Sequence, residues 1–97
     1  MALKTTPYDT ADYLDSPEAI AAYIDAVLED GDAALLTHAL GLVARAHGMS
    51  QIARETGLSR ESLYRALGRD GNPELNTVVR VLKALGLRLS AVPASER

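Results

Sequence analysis

Cysteine, phenylalanine and tryptophan are all absent from this sequence of 97 residues. Without cysteine the chain forms no disulfide bond and no thiolate metal site, which is compatible with a reducing cytoplasm. Four tyrosines are the only aromatic residues, so the core has to consist of leucine, valine, isoleucine and alanine. Because such an aliphatic core is typical of short packed helices, we expect an all-α fold.

Long apolar runs are also missing. No run approaches the roughly 20 residues that a membrane-spanning helix requires, and the N-terminal sequence MALKTTPYDTADYLDS lacks the continuous apolar region of a signal peptide. We therefore expect a cytoplasmic protein with no membrane partner. The length allows one domain with a small core, which an oligomer would stabilise further.

Acidic and basic residues are divided between the two halves of the chain. Residues 1–44 carry eight acids and one base, a net charge of −7, whereas residues 45–97 carry nine bases and five acids, a net charge of +4. The overall charge of −3 therefore conceals an acidic half and a basic half. We expect the two halves to face different partners from opposite sides of the fold.

Capping residues and apolar periodicity predict two helices in the acidic half. The sequence Ser16-Pro17-Glu18 is typical of a helix start, and Gly31 is placed to end a helix of about four turns. Asp32 is placed to cap a second helix, which Gly48 would end.

The C-terminal part of the chain combines a helix pattern with a strand pattern. A helix capped by Asn76 is expected to end at Gly86. Apolar and polar residues then alternate as in a β-strand, over Leu87, Arg88, Leu89, Ser90, Ala91 and Val92. Because a lone strand leaves unpaired backbone groups, we expect it to pair with the same strand of a second copy in a homodimer. The alternative is a frayed tail.

Residues 49–68, MSQIARETGLSRESLYRALG, have the pattern of a helix-turn-helix. It consists of two short helices, over 50–56 and 60–67, each with a serine at its start that is able to cap it. Gly57 supplies the turn, and the small side chain of Ala53 allows the two helices to approach closely. The alternative is an amphipathic helical hairpin with no role in DNA binding.

The second helix of this motif would present its outer face to the major groove of DNA. A rotation of about 100° per residue places four residues on that face as candidates for reading bases: Arg60, Glu61, Tyr64 and Arg65. Arg65 suits guanine, Arg60 suits a base or a phosphate, and Tyr64 offers a ring or a hydroxyl group. Glu61 either accepts from cytosine or forms a salt bridge with Arg65. Candidates for phosphate contacts are Ser50, Gln51, Arg54, Ser59 and Arg69.

These residues resemble the helix-turn-helix of the phage lambda repressor/Cro type, also called Xre-type. The resemblance extends over roughly residues 8–92, through YDTADYLDSPEAIAAYIDAVLEDGD, GMSQIARETGLSRESLYRALGRDGNPELNT and VVRVLKALGLRLS. Together these stretches resemble the bacterial family of addiction module antidote proteins, relatives of HigA-type antitoxins. Ala66 departs from the motif, which more often has a larger aliphatic residue there, and Leu67 is placed to compensate.

The resemblance implies both a fold and a function. The fold would be a five- to six-helix, lambda repressor-like helix-turn-helix domain with a short C-terminal β-strand that pairs in a dimer. The protein would neutralise a small basic toxin, usually of RelE/HigB-like ribonuclease fold, and repress its own operon by binding double-stranded operator DNA. The alternatives are a stand-alone phage-type repressor without a toxin partner and an interaction module whose motif is structural only.

The acidic half is the candidate for toxin binding. A ribonuclease toxin presents cationic residues to RNA, so an acidic surface has a complementary potential. The candidate residues combine aromatic anchors with carboxylates: Tyr8, Asp9, Asp12, Tyr13 and Asp15. Tyr23 lies on the apolar stripe of its helix, which favours the core. The alternative is that the acids form only a solvated face.

Nothing in the sequence indicates an enzyme. His38 and His47 are nine residues apart and point in opposite directions on one helix, and neither a glycine-rich phosphate loop nor a nucleophile beside a base is present. We expect no metal and no cofactor.

The expected domain organisation has three parts. We expect a partly extended arm over 1–15, a single helical DNA-binding domain over 16–92, and a disordered tail over 93–97.

Overall fold

The computed structural model of the protein describes residues 14–94, which form five helices with no strand among them. In chain order the helices are α1 (Pro17–Asp30), α2 (Ala33–His47), α3 (Met49–Thr56), α4 (Arg60–Ala66) and α5 (Leu75–Ala84). The described part of the chain is thus all-helical, as the composition predicts. None of its helices is long and apolar enough to cross a membrane.

The first two helices begin and end where the capping residues predict. Ser16 Oγ accepts a hydrogen bond from the backbone N–H of Ala19 at 3.1 Å. Asp32 Oδ1 accepts from two N–H groups in the first turn of α2, at 2.9 and 3.3 Å. Gly31 ends α1 with a φ of 71°, in the left-handed region that favours glycine, and Gly48 ends α2.

Two predicted caps are wrong. α3 begins at Met49, so Ser50 lies inside its first turn, and Gly48 takes the capping position without a side-chain hydrogen bond. α5 begins at Leu75, so Asn76 lies inside the helix rather than before it. In the first case one residue separates α2 from α3, which leaves no place for a serine cap. In both cases the residue type is typical of a cap, but the helix begins one residue earlier in the chain.

The core is aliphatic and draws on all five helices. α1 packs on α2, α2 packs on α3, and α3 contacts both α4 and α5. The largest fully buried side chains belong to four helices and are Leu40, Val43, Ile52, Leu63 and Val81. Ile20 and Ile24 of α1 complete this core, and Tyr23 is half-buried against it, as its place on the apolar stripe predicts.

α2 and the end of α4 meet at Gly41. This glycine is buried in the middle of α2, and a Cβ atom there would lie 2.6 Å from the backbone carbonyl oxygen of Leu67. Because only hydrogen fits in that space, glycine allows the two segments to touch. This contact sets the position of α4, whose opposite face points outward.

The chain leaves α5 through a Schellman arrangement. The N–H of Leu87 donates to the carbonyl oxygen of Leu82 at 2.8 Å, and the N–H of Gly86 donates to that of Lys83 at 3.0 Å. Gly86 has a φ of 84°. From there to residue 94 the chain forms no regular secondary structure. Because the predicted strand over 87–92 needs a second copy as its partner, it stays a prediction.

Candidate functional site

A three-residue turn, 57–59, joins α3 to α4. Gly57 has a φ of 78°, in the left-handed region. The buried hydroxyl of Thr56 donates to the carbonyl oxygen of Ile52 at 2.7 Å and accepts from the N–H of Leu58 at 3.2 Å. Local hydrogen bonds therefore hold the chain in the geometry that brings α4 across α3.

Arg80 connects this turn to α5. Its Nη1 donates a hydrogen bond of 3.0 Å to the carbonyl oxygen of Thr56, the last residue of α3. Carbonyl groups at a helix C-terminus lack partners inside the helix and attract cations. The partner lies 24 residues away in the sequence, and no local pattern in the sequence identifies Arg80.

α4 is held by one buried face. It ends at Ala66, one residue earlier than predicted, and Leu63 is its one buried residue, with Leu67 buried just after it. The four base-reading candidates are all exposed: Arg60, Glu61, Tyr64 and Arg65. The five phosphate candidates are exposed as well: Ser50, Gln51, Arg54, Ser59 and Arg69. We call the exposed residues of 50–69 the α3–α4 face.

Two of the base-reading candidates contact each other. The guanidinium carbon of Arg60 lies 5.7 Å from the centroid of the Tyr64 ring, within the range of a cation–π interaction. The sequence offers Glu61 either a cytosine or an i,i+4 salt bridge with Arg65, and the structure shows a contact of the same spacing between Arg60 and Tyr64. Because this contact restricts both side chains, Arg60 and Tyr64 form a unit on the α3–α4 face.

The hydroxyl of Ser59 is hydrogen-bonded to Ser62. It accepts from the N–H of Ser62 at 2.9 Å and donates to Ser62 Oγ at 2.9 Å. The two hydroxyls therefore share one hydrogen bond, and exposed Ser62 joins Ser59 as a hydroxyl within reach of a phosphate. Gln51 donates through Nε2 to Glu55 Oε2 at 3.0 Å and retains one amide proton. Sequence reasoning missed Ser62, whose exposed hydroxyl lies 2.9 Å from that of Ser59.

A groove of about 460 Å³ runs beside α4 towards the start of α5. Ser62 and Arg65 line it on the side of α4, and residues 70–74 with Thr77 line it on the other. The groove extends the α3–α4 face, so a ligand that contacts Arg65 also has access to this loop.

The acidic candidates lie at the other end of the chain. Four of them are outside the described residues: Tyr8, Asp9, Asp12 and Tyr13. Asp15 is exposed immediately before α1. On α1 itself, Glu18, Asp25 and Glu29 are exposed, and their spacing of seven and then four residues places them on one helix face. Sequence reasoning missed this alignment, although the helical period contains it.

Comparison with known proteins identifies the family. Residues 4–93 match the family described as "Probable addiction module antidote protein". The chain belongs to this family. The antidote is also 48% identical, over 81 residues, to a protein of Haemophilus influenzae (strain ATCC 51907 / DSM 11121 / KW20 / Rd) described as uncharacterized. The match covers 84% of the antidote and 84% of that relative. No solved structure is a significant match to the antidote.

Membership in this family confirms the resemblance to addiction module antidote proteins that the sequence carries. An antidote implies a toxin as its partner. The two candidate surfaces for partners are the acidic N-terminal part of the chain and the α3–α4 face.

Proposed function

We propose that the antidote neutralises a small basic toxin of RelE/HigB-like ribonuclease fold and represses its own operon as a dimer bound to operator DNA. In this proposal α3, the turn and α4 form a helix-turn-helix of the lambda repressor/Cro or Xre type. The family match over residues 4–93 supports the antitoxin part. One observation carries the DNA part: α4 is anchored by buried Leu63 and exposes Arg60, Tyr64 and Arg65 on its other side.

The charge of the α3–α4 face favours a polyanion. Within 50–69 the charged residues are four arginines and two glutamates, a net charge of +2. Arginine and backbone N–H groups at helix N-termini bind phosphates without regard to sequence, and the released counterions contribute to affinity. The negative charge of the whole chain does not oppose this binding, because it belongs to residues 1–44.

The residues of α4 have distinct proposed roles. Arg65, beside the groove, is placed to donate two hydrogen bonds to guanine O6 and N7. Arg60 and Tyr64 act as the unit described above, in which the ring packs on a thymine methyl group and the guanidinium contacts a base or phosphate. Ser59 remains a candidate for a phosphate contact, and Ser62 is a second hydroxyl donor beside it. Arg69 neutralises phosphate charge only.

A binding assay on the DNA upstream of the operon tests these roles. Arg65→Ala should weaken binding by about 1 to 3 kcal/mol and relax the preference at one base pair. Arg69→Ala should weaken all sequences alike and reduce the dependence of affinity on salt. Lys83→Ala, which removes the same charge from the last turn of α5, is the matched control and should retain the base preference. Equal binding by wild type, Arg65→Ala and Arg69→Ala would remove DNA reading from the proposal.

Toxin binding is assigned to the acidic N-terminal part of the chain. Co-expression with the adjacent small open reading frame should yield a stoichiometric complex and restore growth. The triple variant Asp9→Asn, Asp12→Asn and Asp15→Asn should lower toxin affinity roughly tenfold and flatten its salt dependence, because a single charge pair at a protein surface contributes a fraction of a kcal/mol.

A control variant neutralises two acids of the basic half, Asp70→Asn with Glu74→Gln, and should bind toxin as wild type does. Unchanged affinity and salt dependence in the triple variant would mean that the N-terminal acids are only solvated. Failure to form any complex would leave a stand-alone repressor as the function.

Dimerisation through residues 87–92 completes the proposal. Two copies paired by this segment present two α4 helices to one duplex. If both helices enter successive major grooves on one side of the DNA, the half-sites lie about 34 Å apart.

A further inference from the structure

A groove lies between α1 and the segment that follows α5. Its volume is about 400 Å³. The lining from α1 includes Ala21, Asp25 and Leu28, and the lining from the C-terminal segment includes Leu87, Arg88 and Leu89. The groove therefore brings the first helix and the last described segment together, with a mostly aliphatic lining.

Apolar side chains around this groove are unusually exposed. Leu28 and Leu89 are each 43% exposed, and Val92, further along the same segment, is 79% exposed. Covering these side chains would remove apolar area from water at about 25 cal/mol per Å². Leu28 and Leu89 line the same groove from opposite sides, and such paired exposed apolar residues mark an interaction surface more often than single residues do.

The Schellman arrangement at the end of α5 holds the C-terminal segment beside α1. A Cβ atom on Gly86 would lie 3.4 Å from Cγ of Pro17, so the end of α5 lies against the start of α1. The N–H of Leu87 is bonded to Leu82, and from Arg88 to residue 94 the chain forms no regular secondary structure. The backbone of 88–94 is therefore placed at the groove without a helical or strand partner among residues 14–94.

The charges in the groove select its occupant. Its lining contains two charged residues, the acid Asp25 and the base Arg88. In a two-fold contact both copies present the same surface. A surface with one acid, one base and an apolar floor can therefore pair its acid with the base of the other copy, and its base with the acid. A basic partner would be attracted by Asp25 but repelled by Arg88, so the groove fits a second copy better than a basic toxin.

We propose that this groove is the dimer interface of the antidote. Residues 87–92 of the partner subunit lie in it, antiparallel to the same segment of the first copy, with Leu89 of the partner subunit against Leu28. Arg88 of the partner subunit pairs with Asp25, and the two-fold axis repeats each contact. The proposal rests on the homodimer of the proposed function and assigns α1 a role in it, because α1 covers the paired segments.

Sedimentation velocity of the full chain, without DNA or toxin, tests this interface. The wild type should be a dimer at micromolar concentration. Leu28→Asp and Leu89→Asp should each raise the dimer dissociation constant about a hundredfold or more, because each substitution enters a two-fold interface twice. Leu35→Asp is the matched control: Leu35 is 42% exposed on α2, outside the groove lining, and this variant should remain dimeric. Circular dichroism confirms that each variant keeps its helices.

A charge exchange tests the pairing without adding charge to apolar positions. Asp25→Arg and Arg88→Asp each place like charges together and should weaken the dimer. The double variant restores opposite charges, and its dimer affinity should be at least tenfold higher than that of either single variant. Additive losses in the double variant would show that these residues do not meet across the interface.

The remaining outcomes separate the interface from the proposed function. A monomeric wild type would overturn the proposed interface. It would also be overturned if Leu28→Asp and Leu89→Asp both remained dimeric. The dimer contact would then lie elsewhere, for example at exposed Leu75 and Val79 of α5. The proposed interface would also be overturned if Leu28→Asp and Leu89→Asp lost toxin binding but remained dimeric. If the leucine variants become monomeric and the wild type nevertheless fails to bind operator DNA, the interface stands and the DNA part of the proposed function falls.

Discussion

Replacing Leu63 by alanine is expected to lower the free energy of unfolding by about 3 to 5 kcal/mol. Leu63 is fully buried and is the one buried residue within the seven-residue helix α4. A helix this short is not stable by itself, so its position depends on that side chain. The substitution leaves a cavity between α4 and the core and releases the α3–α4 face.

Urea denaturation of the full chain measures this loss. Tyr64→Ala on the same helix is the matched control, because Tyr64 is 44% exposed and its removal should change stability by less than about 1 kcal/mol. Both variants should bind operator DNA more weakly, Leu63→Ala through unfolding and Tyr64→Ala through a lost contact. A stability of Leu63→Ala within 1 kcal/mol of wild type would contradict the packing described for α4.

Replacing Gly41 by alanine should destabilise the protein by about 2 kcal/mol, against the usual direction of this substitution. In an unobstructed helix interior, glycine to alanine stabilises by about 0.5 to 1 kcal/mol. At Gly41 the new methyl group would lie 2.6 Å from the backbone oxygen of Leu67 and 3.1 Å from Nη1 of Arg45. The arginine side chain is able to move, but the backbone oxygen is not, and overpacking of this kind costs about 1 to 3 kcal/mol.

Gly31→Ala is the control for Gly41→Ala. At Gly31 an added Cβ atom meets nothing within 4 Å, and the cost comes only from its φ of 71°, about 1 kcal/mol. The two variants should also differ in DNA affinity, because only Gly41 contacts the end of α4. Stabilisation by Gly41→Ala would mean that α2 and α4 do not approach as closely as described.

Signals that lie within a few residues predicted the helices well. Ser16 and Asp32 cap α1 and α2 as expected, since an N-cap bonds to N–H groups two or three residues away. The outward face of α4 also followed from the helical period alone. Ser50 and Asn76 failed as caps because a cap depends on the direction in which the chain enters the helix, which neighbouring helices determine.

Roles within the candidate site were harder to predict. Exposure of the candidates within α3 and α4 follows from periodicity, but the contacts they make with one another do not. Ser59 is hydrogen-bonded to Ser62, and the guanidinium of Arg60 lies over the ring of Tyr64. Both contacts are compatible with the spacing of the residues, yet several rotamers satisfy that spacing, and the surrounding packing selects among them.

The sequence by itself determined the all-helical class, the division into an acidic and a basic half, the limits of α1 and α2, and the resemblance to antidote proteins. These properties depend on composition or on residues one or two turns apart. Only the tertiary structure decided that Gly41 meets Leu67, that Arg80 bonds to Thr56, and that Asp25 shares a groove with Arg88. Each of those pairs is separated by more than twenty residues along the chain. Because only the packing of the helices brings such residues together, no local pattern reports the contact.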